Sequence, residues 1–239
     1  IIRAICLAAQ ELRAPVILAH YLATGAYAGH NWFYETAKWM AERVDVPVAI
    51  HLDHGDTVAH CQEMLDIGFT SIMYDGSALS IEENAKNTNE VIMLCHAKEV
   101  PVEAEIGEIA RADADGHNNV ADSRQVKRFL ELCLPDSLAI GIGNAHGFYK
   151  TKPDIRLDVL EDVRKFTDIP FVLHGCTGMD ENMIQSAIKL GVSKVNFGTI
   201  VRHNYFSYLK QGVDMDFQDH SWKLSQFAEG KLREDIKDL

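Results

Sequence analysis

Seven times along its 239 residues the chain runs a short apolar segment into a stretch of helical periodicity, and that repeat limits the folds open to it. The apolar segments are PVILAH (15–20), VPVAIHLD (46–53), SIMYDG (71–76), VPVEAEIG (100–107), SLAIGIGN (137–144), FVLHG (171–175) and VSKVNFGT (192–199). Helical stretches follow them near 31–43, 57–67, 81–98, 122–133, 155–166 and 180–190, and from about 200. A further helix is expected over 1–13, where Ile2, Ile5, Leu7, Ala9 and Leu12 fall mostly on one side. The acidic segment from Gln218 onward predicts a terminal helix packed outside. The strands are continuous apolar runs, as expected when both faces are covered. A lone helix followed by seven such units predicts an α/β fold, a (β/α)8 TIM barrel lacking its first strand, with an extra C-terminal helix. An open doubly wound sheet is the alternative, but it concentrates its site at one switch point. Here Asp53/His54, Asp75, Glu105, His146, His174 and Asn196 end six strands, as a barrel with one mouth requires.

A chain of this length that is 47% hydrophobic can bury one large core, so residues 1–239 are expected to form a single barrel domain. The net charge of −12 argues against nucleic acid and anionic membrane as partners. An anionic ligand would then need local groups: a metal, backbone N–H donors or an arginine. Five scattered cysteines without a CxxC pair suggest neither a disulfide framework nor a thiolate metal site, and a cytoplasmic setting is expected. No apolar run reaches transmembrane length and no signal peptide is visible; the opening IIRAICLAAQ suggests an entry in mid-domain.

Three histidines, His54, His146 and His174, each sit where a strand runs out into glycine. In a barrel these ends meet, and three imidazoles around Zn²⁺ with one open position form a catalytic arrangement. Asp53 is placed beside His54 as an acid–base group, and His51, two residues earlier on the same face, is expected to be a satisfied interior histidine. Asp75 and Glu105 end neighbouring strands and could orient the imidazoles or offer a second resting place for the metal. Glu103 either joins them or pairs with an interior lysine or arginine. The turns HGCTG (174–178) and NFGT (196–199) follow the last two strands, where barrels often hold phosphate. There Gly175, Thr177, Gly178, Gly198 and Thr199 would let an oxyanion approach the main chain, and Cys176 is expected to be a small filler. The remaining histidines, His30, His60, His96, His203 and His220 among them, are expected on helices or loops facing solvent.

Through HLDHG, YDGS, EAEIG, GNAHGFYK, VLHGCTG and KVNFGT, essentially the whole chain resembles the class II, zinc-dependent ketose-bisphosphate aldolases, in the branch acting on fructose and tagatose 1,6-bisphosphates. The resemblance implies that His54, His146 and His174 bind Zn²⁺ and that Asp53 is the catalytic acid–base residue. It also implies that Asp75 and Glu105 lie near the metal and can hold a second ion. Gly147, Gly175, Cys176, Thr177, Asn196, Phe197, Gly198 and Thr199 match segments binding the dihydroxyacetone-phosphate half of the substrate, with a monovalent cation (Na⁺ or K⁺) nearby in some members. Three departures stand out: the family's first strand, with its asparagine, is absent, the stretch after Glu105 is short, and HGCTG replaces the commoner glycine–serine turn. In the family a mobile loop after that strand supplies a second acid, for which Glu108, Asp113 and Asp115 are the candidates.

The expected activity is reversible aldol cleavage of fructose or tagatose 1,6-bisphosphate to dihydroxyacetone phosphate and glyceraldehyde 3-phosphate, a carbohydrate-metabolism (glycolytic) lyase reaction. Its partner is a small phosphorylated sugar, and the assembly is expected to be a homodimer or homotetramer. Arg202, or an arginine of a neighbouring subunit, is a candidate for the second phosphate. The alternatives are a related ketose or deoxyketonate phosphate substrate, a non-catalytic partner subunit, and a metal-dependent barrel hydrolase. The hydrolase is disfavoured because the chain contains no HxH pair.

Overall fold

Side-chain alternation along two strands decides which residues can meet inside this fold. In β2 (Val48–Gly55) Ile50 and Leu52 pack outward onto helices, so His51 and Asp53 turn inward. In β4 (Val102–Ile106) Val102, Ala104 and Ile106 face the helices, and Glu103 and Glu105 turn inward. These strands are therefore not uniformly apolar, contrary to the expectation from their composition: their inward faces are polar. Elsewhere the interior is apolar, as where Met73, Ala139 and Val172 touch.

The computed structural model describes residues 1–109, 112, 120–215, 217 and 220–239. Its remaining strands are β1 (Val16–Tyr21), β3 (Ser71–Tyr74), β5 (Ser137–Ile140), β6 (Phe171–Leu173) and β7 (Val192–Val195). All seven are parallel and lie in sequence order, β1 to β7. The sheet curls into a partial barrel, so that Lys194 and Asn196 at β7 come within 3.3 and 3.4 Å of His51 and Asp53 on β2. The helices are α1 (Ile2–Leu12), α2 (Leu22–Ala28), α3 (His30–Ala41), α4 (Val58–Ile67), α5 (Ile81–His96), α6 (Ser123–Leu132), α7 (Leu157–Arg164), α8 (Glu181–Lys189), α9 (Thr199–Asp214) and α10 (Ser221–Lys237). Ala4 of α1, Val201 of α9 and Leu232 of α10 form one cluster, so the first helix packs against the last two. Among the described residues, no helix is long and apolar enough to cross a membrane.

Several strands stop short of their expected ends: β5 at Ile140 rather than 144, β6 at Leu173 rather than 175, and β7 at Val195 rather than 199. The glycine-bearing turns begin there, and backbone pairing gives way to side-chain and turn contacts. α2 fills a stretch with no predicted element. There the His30 imidazole lies where a Cβ on Gly25 would be, 2.1 Å from its Cε1, so only glycine fits. His30 does not face solvent as expected: its Nδ1 meets Nε2 of buried His20 at 2.8 Å. Side-chain oxygens of Thr57, Ser80, Asp122 and Asp180 cap α4, α5, α6 and α8, fixing where these helices begin.

The larger apolar cluster joins β4, β5 and β6 to α6, α7 and α8, with Phe129 fully buried within it. Phe129→Ala should lower unfolding free energy by ~3–5 kcal/mol in chemical denaturation, with transfer and cavity terms both contributing. A change under ~1 kcal/mol would mean that the site collapses around the lost ring.

Candidate functional site

His54, His146 and His174 converge at the carboxyl ends of β2, β5 and β6. Their ring centroids lie 4.9, 4.8 and 5.8 Å apart for the pairs 54–146, 54–174 and 146–174. One nitrogen of each ring lies within 4.8 Å of the other two, a spacing that can hold a metal ion. His54, Asp75 and Glu105 form a second such group sharing His54.

The backbone works to bring the rings there. His54 sits at a register shift between Leu52 and Gly55 and adopts a left-handed φ of 54°, rare for a residue with a side chain. Its amide donates to Met73 Sδ at 3.4 Å. Gly175, with φ 68°, passes so close to β5's loop that a Cβ would lie 2.3 Å from the Ala145 oxygen. Asn144 and Tyr149 stitch the same two loops together. Asn144 Nδ2 donates to the His174 oxygen at 2.9 Å, and Tyr149 OH donates to the Gly175 oxygen at 2.8 Å while accepting from Ala145 N. Neither residue stands out from the sequence as a candidate, although both lie in GNAHGFYK, where an asparagine and a tyrosine bracket the ligand-type histidine.

Carboxylates behind the rings fix two tautomers. His54 Nδ1 meets Asp75 Oδ2 at 2.8 Å, and His174 Nε2 meets Glu103 Oε1 at 2.9 Å. An ionised carboxylate only accepts, so these ring nitrogens donate and the opposite ones are left facing each other, His54 Nε2 to His174 Nδ1 at 3.2 Å. One proton between these two nitrogens makes the contact a hydrogen bond, and a metal ion could take its place. Among the described residues, two further buried atoms at this site have no hydrogen-bond partner: His146 Nε2 and Glu105 Oε2. A divalent cation suits this donor set of imidazoles and carboxylates.

The protonation states agree. Burial lowers His146 to about 4, assisted by the charges of His54 and His174, which leaves its ring neutral with a free lone pair. Burial likewise acts to lower His54, but the Asp75 hydrogen bond with the Asp53 and Glu105 charges raises it to about 9. Burial and the Asp75 charge push Glu105 up to about 8. Asp53 is pushed up by burial but pulled down further by His174, His54, His51 and Lys194, so it stays a carboxylate below its usual range. Its Oδ1 accepts from Asn196 Nδ2 at 3.4 Å. His51 is a buried, satisfied interior residue: Nδ1 meets Ser71 Oγ at 2.7 Å, and burial with the Lys194 charge lowers it to about 3. His51 Nε2 also lies 3.7 Å from Glu103, but a neutral ring makes no ion pair, so the charged partner of Glu103 is Lys194.

The two glycine-bearing turns lie side by side. Cys176 N donates to the Asn196 oxygen at 3.4 Å, and Ile200 N donates to Thr177 Oγ1 at 3.2 Å. Cys176 is buried, with its thiol on the Leu173 oxygen at 3.3 Å and pushed up by burial to about 12, which suits a filler. Phe197 is half-buried and packs against residues of two apolar clusters. Gly198 caps α9, whose first residue is Thr199, and a Cβ on Gly198 would lie 3.2 Å from Arg202 Nη1, so the guanidinium covers this turn. Gly147 (φ 112°) follows His146, whose oxygen accepts from Ala112 N at 2.8 Å. Of the candidate loop acids, Glu108 is exposed, while Asp113 and Asp115 lie outside the described residues.

The family model for class-II fructose-bisphosphate aldolase matches residues 1–239. A fructose-bisphosphate aldolase of Geobacillus stearothermophilus is 39% identical over 203 residues, covering 82% of this chain and 71% of that protein. Among solved structures, the YdjI aldolase of Escherichia coli K12 is similar with a TM-score of 0.85 and 29% identity, over 99% of this chain and 84% of that one. The fructose-bisphosphate aldolase of Campylobacter jejuni shares the fold with a TM-score of 0.82 and 21% identity, over 99% and 85% of the two chains.

An ion entering between the histidines must displace the proton that His54 holds up to about pH 9. Adding Zn²⁺ near pH 7 should therefore release protons, and affinity should rise with pH until His54 is deprotonated in the free protein. Indicator-dye titration checks this; proton-neutral binding at pH 7 would contradict the assigned state of His54.

Proposed function

Because the chain belongs to the class-II fructose-bisphosphate aldolases, a family of lyases, we propose that it cleaves a ketose 1,6-bisphosphate, fructose or tagatose, reversibly to dihydroxyacetone phosphate and glyceraldehyde 3-phosphate. The observation that carries this reading is the cluster of three imidazoles at one mouth, beside an ionised Asp53 and two glycine turns. His54, His146 and His174 would hold a zinc ion, with Asp75 and Glu105 as the alternative position sharing His54. When bound, the ion supplies electrostatic stabilisation for the negative charge that develops at the substrate's carbonyl carbon–oxygen unit.

The chain's own residues do the rest. Asp53 accepts the proton of the C4 hydroxyl as the C3–C4 bond breaks and returns it in condensation. Asn196, within reach of both Asp53 and His174, holds the carboxylate in register with the rings. Free backbone N–H groups of the 175–178 and 196–199 turns, with Thr177 and Thr199, receive the phosphate of the dihydroxyacetone-phosphate half, and Arg202 remains the candidate for the second phosphate. Lys194 is not available as a Schiff-base amine, because its Nζ donates to Glu103 Oε2 at 2.7 Å deep in the barrel.

One observation favours a second reading, a related ketose or deoxyketonate phosphate. Tyr21 is the register partner of Asp53 and is 51% exposed. Its place on the strand beside Asp53 puts a tyrosine rather than a lysine or arginine next to the acid–base residue, which suits an aldehyde half without a phosphate.

Turnover of a panel of ketose and deoxyketonate phosphates, with and without EDTA, tests the function. Cleavage of at least one member, abolished by EDTA and insensitive to borohydride, is expected; borohydride inactivation or no cleavage of any member would overturn it. Asp53→Ala should retain zinc at parent stoichiometry and lose turnover by about 10²–10⁴-fold. Full turnover in that variant would remove Asp53 from the chemistry.

A further inference from the structure

Directly beneath the mouth, the barrel interior contains a charged cluster that the aldol chemistry above does not use. Glu103 on β4 is buried, and each of its oxygens has its own partner: Oε1 meets His174 Nε2 at 2.9 Å and Oε2 meets Lys194 Nζ at 2.7 Å. Lys194 also approaches His51 Nε2 at 3.3 Å, and His51 Nδ1 meets Ser71 Oγ. The cluster thus ties β2, β3, β4, β6 and β7 together across the interior.

Stability alone does not account for an ion pair in this place. Desolvating two charges offsets much of their attraction, and well-packed apolar residues of similar volume commonly serve as well or better. The same interior is filled elsewhere by Met73, Ala139 and Val172. What an apolar filling could not supply is direction. An ionised carboxylate offers His174 only an acceptor, so the ring must keep its hydrogen on Nε2 and turn Nδ1 to the mouth. Lys194 occupies the second oxygen and holds the carboxyl plane in place. It lies two residues before Asn196, so the same contact anchors the strand that leads into the 196–199 turn.

We propose that Glu103 and Lys194 form a buried strut that orients His174 for ion binding through Nδ1, with Glu103 as a positioning residue rather than a catalytic one. The proposal rests on the metal reading of the site given above.

The test compares zinc affinity, by chelator competition, and melting temperature in the parent, Glu103→Gln and the Glu103→Gln/Lys194→Met double variant. The double variant removes both charges and avoids stranding one alone. Glu103→Gln should bind zinc about 10–100-fold more weakly. The double variant should melt near the parent yet keep at least a tenfold deficit in affinity. Parent-like affinity in either variant would reduce the pair to a packing element and overturn the strut. ¹⁵N spectra of the zinc-loaded parent give an answer that needs no variant: the His174 proton should reside on Nε2 and the metal shift on Nδ1, and the reverse would overturn it. A parent that takes up no zinc would sink the metal reading together with the strut, whereas a zinc-binding parent with indifferent variants sinks the strut alone.

Discussion

The site is governed by two imidazole nitrogens facing each other at 3.2 Å, His54 Nε2 and His174 Nδ1. Each ring has its other nitrogen committed to a carboxylate, so neither can turn its lone pair away without abandoning a charge-assisted hydrogen bond. The arrangement requires a proton or a metal ion between the rings. In the free protein His54 is raised to about 9, because its hydrogen bond to Asp75 and the charges of Asp53 and Glu105 outweigh burial. His146, its ring centroid 4.9 Å from that of His54, loses its proton to burial, assisted by the charges of His54 and His174.

That constraint extends into the fold. For carboxylates to stand behind imidazoles, polar side chains must line part of the barrel's interior, where branched aliphatics would pack without desolvation cost. Much of this polar lining comes from β2, β4 and β7, with His51, Glu103 and Lys194 in contact, while the outward faces of β2 and β4 stay apolar against the helices. Strands that are polar on one face and apolar on the other have a strongly specified register, because a one-residue slip would bury carboxylates under the helices.

Much of this was legible in the sequence. The seven strand–helix units, the meeting of His54, His146 and His174, and the satisfied interior role of His51 follow from periodicity and from the alternation of side chains along a strand. What could not be read depends on contacts between distant segments. The partner of Glu103 could be narrowed to an interior lysine or arginine, but selecting Lys194, 91 residues away, requires the curl of the sheet. The loop stitching by Asn144 and Tyr149 is invisible for the same reason, as is α2, whose place depends on His30 lying against Gly25. The ends of β5, β6 and β7 were overrun because apolar residues continue into the turns, where burial persists after strand pairing has stopped.

The three rings are held by two different means. His54 and His174 are oriented by charge, through Asp75 and Glu103. Among the described residues His146 has no such partner, and its Nε2 is buried without one. Its position comes from the backbone: Ala112 N on its oxygen, Tyr149 OH on Ala145 N, and the close passage of Gly175 beneath Ala145. The charged contacts on His54 and His174 therefore set the direction of two rings, while the loop contacts set only the backbone that carries the third.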